Sequence, residues 1–175
     1  MIKDNQQHFN RLHVVIDACV VVMSYVLAWW LKVAVVDAGV GVLPVGTYMG
    51  VLFFIVPGYI LLYYAFNLYT PKRVQGRRLE LSNIIMSNTV GVLIGFTALF
   101  TLITYDPQFR NFSRGMVGYF YVINIVLEEA VRLLIRYVLR RIRKKGYNLK
   151  HILLVGYSRA TEQYIDRILQ NPQWG

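Results

Sequence analysis

Few residues in this chain could do chemistry, and they are scattered. Asp17 is an acid inside an apolar run, costly in hydrocarbon unless paired or close to an interface. It could partner a basic residue or a lipid phosphate; a polar contact inside a helix bundle is the simpler reading. Glu128 and Glu129 are adjacent, so on a helix they point about 100° apart and form no matched acid and base. Pairing with Arg132 and solvation at an interface account for them. Arg132, Arg136, Arg140 and Arg143 recur at spacings of four, four and three, which places them on one helical stripe facing phospholipid headgroups. Arg73 stands in a basic loop. Ser113 is placed to cap a helix, and Arg114 follows it. Gly156-x-Ser158-x-x-Thr161 is an eroded Gly-x-Gly-x-x-Gly. Gly156 permits a tight turn, but Ser158 stands where a glycine would let a pyrophosphate approach the backbone, and Thr161 replaces the third glycine. Gly156 and Ser158, with the charge of Arg159, are the cofactor-binding candidates at a helix N-terminus; a plain structural turn is the simpler reading. His8, His13 and His151 have no metal-ligand spacing, and Cys19 is the single cysteine. No paired carboxylates, nucleophile–base pair, phosphate loop or metal cluster is present, so no catalytic residue, metal site or cofactor of the chain's own is expected.

The elements that would position these residues are membrane helices. Hydrophobic residues make up 56% of the 175 and charged ones 16%, against about a quarter charged in a soluble domain. Apolar runs predict spans at about residues 12–36, 48–69, 81–105 and 115–136. Residues 1–11 form a polar N-terminal segment. Trp29, Trp30 and Lys32 mark one interface, Pro57 predicts a kink, and Gly91-x-x-x-Gly95 permits close helix approach. The last run continues without Pro from Gly115 to Lys145 and turns basic, giving a single helix that leaves the membrane. The membrane domain therefore covers residues 12–145.

The net charge of +10 does not point to nucleic acid, because the basic residues cluster at the ends of apolar runs. Lys3 and Arg11, then Lys72, Arg73, Arg77 and Arg78, then the tail from Arg132 to Lys145 lie on one side; Lys32, Arg110 and Arg114 lie on the other. The positive-inside rule puts both termini in the cytoplasm. Lipid and its anionic headgroups are the expected partners, with self-association into a homo-oligomer left open. In residues 146–175, Ile152–Val155 predicts a strand, Gly156–Ala160 a tight turn and Thr161–Leu169 a helix ended by Asn171-Pro172. That is the opening of a Rossmann-like unit lacking its second strand, as in a piece of a longer protein. The expected fold class is mainly α: a four-helix transmembrane bundle with a long basic extension, then the first β-turn-α of a Rossmann-like domain.

Several stretches, taken in order, resemble one family. They are Asp17 with Tyr25 and Ala28; Phe66-Asn-Leu-Tyr69 followed by Arg73; Phe112-Ser-Arg114; Arg132, Arg136 and Arg140; and Ile152-Leu-Leu-Val-Gly156 with Asn171-Pro-Gln-Trp-Gly175. Their order resembles the N-terminal part of the large bacterial polyprenyl-phosphate hexose-1-phosphate transferases, which initiate capsule and exopolysaccharide synthesis. The resemblance implies an inner-membrane protein with four spans, a Rossmann-like cytoplasmic domain and a further catalytic domain. That domain would use magnesium and an Asp-Glu pair to transfer sugar-1-phosphate from a UDP-sugar to undecaprenyl phosphate. None of its residues is found here, so this chain is expected to anchor rather than catalyse. Two other readings stay open: a non-catalytic scaffold of polysaccharide assembly, and a fragment of a membrane-bound enzyme that modifies nucleotide sugars.

Overall fold

The computed structural model describes residues 2–36, 43–69, 77–144, 156 and 158–170. All regular structure among them is helical. Helix α1, Ile2–Trp29, passes into a π-helical stretch, Trp30–Val36; α2 is Val45–Ala65 and α3 is Arg77–Tyr105. A 3-10 turn, Pro107–Asn111, leads into α4, Arg114–Lys144, and α5 is Arg159–Gln170. The chain divides into two compact units, Met1–Glu129 and Ala130–Gly175, the boundary falling within α4.

Among the described residues, three helices are long and apolar enough to cross a membrane: Arg11–Lys32, Val45–Ala65 and Arg78–Tyr105. The expected first three spans are therefore present as helices. The fourth run forms one unbroken helix of 31 residues, as its lack of proline predicts, but Glu128, Glu129 and Arg132 keep it out of that set. The first helix also begins earlier than its apolar run and takes in the polar residues from Ile2. The third starts at Arg77, ahead of the apolar run, with Glu80 in its first turn, where an acid favours the positive end of the helix dipole. Helix α2 passes through Pro57. The strand expected at Ile152–Val155 lies outside the described residues. Of the segment expected to open a Rossmann-like unit, the described residues are the Gly156 bend, Ser158 and α5, which begins at Arg159, two residues before its expected start.

The first unit is built on one buried stripe from each helix. Val21, Tyr25 and Ala28 of α1, Tyr48, Tyr59 and Tyr63 of α2, Ile84 and Leu99 of α3, and Met116 and Phe120 of α4 form a single core. The rings meet edge to face: Tyr25 with Phe120 at 5.8 Å and Tyr59 with Phe120 at 5.3 Å between centroids. Each such contact adds of order 0.5–1.5 kcal/mol to the area buried. Gly91 explains how α3 comes so near: a Cβ there would stand 2.7 Å from Cζ of Tyr59. Gly95 has open space, so only the first half of that small-residue pattern packs. Hydroxyls along α3 are satisfied within the helix, as Thr97 bonding the Leu93 carbonyl at 2.9 Å and Thr101 bonding that of Thr97 at 2.9 Å. Such back-bonding lets a threonine face an apolar medium without an orphaned donor.

Candidate functional site

Several polar residues of the first unit are buried, Asn88 and Asn124 completely. Asn124 of α4 donates from Nδ2 to the Tyr63 hydroxyl of α2 at 2.8 Å and to Oδ1 of Asn88 of α3 at 2.6 Å. Asn88 in turn donates to the Ile84 carbonyl at 2.9 Å. One amide therefore ties three helices together. Its orientation is fixed by its neighbours, since turning the Asn124 amide would set two carbonyl oxygens against each other. In a bilayer such a bond is worth about 0.6 kcal/mol on average, so its larger effect is to fix which faces meet.

The Tyr25–Phe120 contact sets the register of α1 and α4. Asp17 and Glu128 each lie eight residues further along their helices from it, about 12 Å in the direction of Asn124 and beyond. Both are buried, Glu128 completely. Asp17 sits inside the bundle as its position in an apolar run implied. Glu128 departs from expectation: it is not solvated at an interface but shut in, within electrostatic reach of the Tyr63 hydroxyl. His13 and Glu80 are buried as well. Each of these four side chains is therefore withdrawn from the surface. Among the described residues no set of three His, Cys, Asp or Glu could hold a metal ion.

The other end of the unit is locked by Tyr48. Its carbonyl accepts from the Tyr25 hydroxyl at 2.9 Å, and its own hydroxyl accepts from the Ser113 amide at 3.2 Å. Its ring lies 4.8 Å from that of Phe112, tilted by 41°. Ser113 thus holds the entry of α4 through its backbone, its carbonyl accepting from the Met116 amide at 3.1 Å. Arg114 is exposed, its guanidinium 5.9 Å from the Phe100 ring centre. The aliphatic stem of Lys32, in the π-helical stretch, lies against Gly115, where a Cβ would come within 2.8 Å of Cε.

Phe66-Asn-Leu-Tyr69 has a structural cause. Helix α2 stops here, before the Tyr69 its apolar run suggested, in a Schellman motif. The Asn67 amide bonds the Tyr64 carbonyl at 3.1 Å, and the Leu68 amide bonds that of Tyr63 at 3.0 Å. The motif needs a left-handed residue, and Asn67 has φ 56°; asparagine is the residue other than glycine that takes this conformation most cheaply. Leu68 is buried against the core as the motif's apolar contact. Arg73, just beyond, lies outside the described residues.

The arginines do not share one environment. Arg132 is 1% exposed, Arg136 is half-buried and Arg140 is exposed. A step of four residues overshoots a helical turn by about 40°, so equally spaced residues fan from the inner face to the outer. The expected uniform headgroup stripe is thus corrected to a single outer arginine of these three.

At the start of α5, Gly156 has φ 93°, the conformation the tight turn required. Ser158 Oγ accepts from the Thr161 amide at 3.3 Å and lies 3.1 Å from the Thr161 hydroxyl. Its carbonyl accepts from the Glu162 amide at 3.2 Å. The side chains that replaced two glycines therefore cap the helix themselves.

Asn88 and Asn124 were not singled out from the sequence, and Tyr63, which the crowding of tyrosines suggested as interfacial, is buried. The available signal was an asparagine in each of two apolar runs, which in a membrane helix marks an interhelical contact. Comparison with known proteins gives one match: residues 64–175 fit the family model described as a CoA-binding domain, a domain found in polyprenyl-phosphate sugar transferases. No curated protein and no solved structure matches the chain. The family match takes in more than half of the chain, from the end of α2 through α3, α4 and α5, and the protein belongs to the CoA-binding domain family.

Proposed function

We propose that this chain is the membrane-anchoring part of an undecaprenyl-phosphate sugar-1-phosphate transferase. Such an enzyme initiates exopolysaccharide or capsule synthesis in the bacterial inner membrane, drawing on a UDP-sugar and undecaprenyl phosphate. The observation that carries the reading is where the family match falls. It begins at Tyr64 and includes α3, a helix apolar enough to span, so the matched segment joins membrane helices to the α5 unit in one stretch. A helix bundle with buried polar contacts between its helices suits an anchor. Magnesium chemistry belongs to the transferase and has no ligand set among the described residues.

The family's description names coenzyme A. A diphosphate needs free amides at a helix N-terminus or a glycine-lined approach. At α5 the Thr161 amide is taken by Ser158 and Glu162 stands in the first turn. These described residues do not fit that group, and no step is assigned to it.

Disrupting the gene tests the proposal. Membranes from the disrupted cells should lose UDP-sugar-dependent labelling of polyprenyl phosphate, and unchanged labelling would overturn the reading. The purified chain, given labelled UDP-sugar, magnesium and undecaprenyl phosphate in detergent, should form no lipid-linked sugar phosphate; formation would make it a catalyst rather than an anchor.

A further inference from the structure

Helix α4 is kept from an apolar average by Glu128, Glu129 and Arg132; Glu128 and Arg132 are buried, as is Asn124, and Glu129 is half-buried. What it turns outward is a different surface. Tyr119, Val122, Val126, Ala130, Leu133 and Tyr137 follow one another at steps of three and four, the repeat of a single helix face. Every one is exposed, Val122 and Val126 at 59% and Tyr137 at 61%. No charged side chain interrupts this face.

The length of the face matches a bilayer. At 1.5 Å per residue about 27 Å of helix separates Tyr119 from Tyr137, against roughly 30 Å of hydrocarbon. Tyrosines at both ends with aliphatic residues between are the pattern of an interfacial aromatic belt. Trp30, past the end of α1, and Tyr105, the last residue of α3, are exposed too; with Tyr119 they mark one boundary of the first unit. Beyond Tyr137 the same face changes character within a turn: Arg140 and Arg141 are exposed on it, where phosphate oxygens would begin.

We propose that the outward face of α4 is a bilayer contact bounded by Tyr119 and Tyr137, and that Arg140 and Arg141 bind the anionic phospholipid headgroups of the leaflet Tyr137 reaches. The proposal rests on the anchoring reading and names its lipid partner. Its test reads depth and lipid neighbours, so its failure is distinct from a failure of the sugar-transfer reading.

Cys19 is the single cysteine, so a Cys19→Ala background accepts one label at a time. Spin labels on Val126→Cys, Leu133→Cys and Arg141→Cys are compared in phosphatidylcholine–phosphatidylglycerol vesicles. The ratio of oxygen to nickel-complex accessibility should peak at Val126, fall at Leu133 and be aqueous at Arg141. Aqueous values at all three would overturn the proposal. A fluorophore on Val138→Cys is then quenched with nitroxide-labelled phosphatidylglycerol or phosphatidylcholine. Phosphatidylglycerol should be favoured about fivefold for each arginine. Arg140→Gln with Arg141→Gln should bring the preference close to unity and the paired lysine variant should keep most of it, while the Val126 depth confirms insertion of each variant. Equal quenching by both lipids in the protein with its native arginines would overturn the headgroup assignment.

Discussion

Helices α2 and α4 distribute their polar and apolar residues in opposite ways. Helix α2 is apolar around nearly its whole circumference; it buries Tyr48, Tyr59 and Tyr63 and leaves Phe53, Phe54, Leu61 and Tyr64 outside. Helix α4 buries an asparagine, a glutamate and an arginine and shows valines, a leucine and tyrosines outward. Averaged over its residues, the first is an obvious span and the second is not. Lipid meets only the outer face of a bundle helix, so the average misjudges any helix whose polar groups are used inside. The contrast also says where specificity lies: α2 contributes a phenol, Tyr63, that α4 recognises with the Asn124 amide, and the apolar exterior of either helix specifies nothing.

The contrast can be broken most forcefully on the outer face of α4. Val126→Arg should cost about 3 kcal/mol of insertion, the penalty for an arginine at the centre of a span, measured as the inserted fraction of α4 in membranes; an effect within about 0.5 kcal/mol, the ordinary surface value, would mean water rather than lipid there. Gly91→Ala sharpens the inner side, since its Cβ would stand 2.7 Å from a ring atom of Tyr59. Overpacking of this kind costs about 1–3 kcal/mol, read as lower thermal stability in detergent, whereas Gly95→Ala should be nearly silent. Asn67→Ala should lose about 1 kcal/mol through its left-handed backbone, and Asn67→Gly should restore it. Asn124→Ala should cost about 0.6 kcal/mol, and combined with Asn88→Ala less than the sum of the two, because they share one bond.

Much of this arrangement was legible in the residues. Uninterrupted apolar runs located α2 and α3, and the proline-free stretch after Gly115 foretold the length of α4. Asp17 was readable as interior because a carboxylate in hydrocarbon has few other places to go. The arginine fan was not, since equal spacing suggests one stripe until the helical overshoot is accumulated. Nor was the Asn88–Asn124 bond, because nothing local tells one apolar-run asparagine which partner it has on another helix. Asn67 was quotable as part of a motif, but its reason lay in a backbone angle. The eroded glycine turn was readable in kind; that Ser158 would cap α5 itself needed the geometry.

The account turns on whether α4 crosses the bilayer with its charges inside. Single cysteines at Arg110 and Arg141, in the Cys19→Ala background, can be offered a membrane-impermeant maleimide in sealed, right-side-out vesicles. Crossing by α4 would put these positions on opposite sides, so Arg110→Cys should label before lysis and Arg141→Cys only after it. Labelling of both positions before lysis would contradict the account.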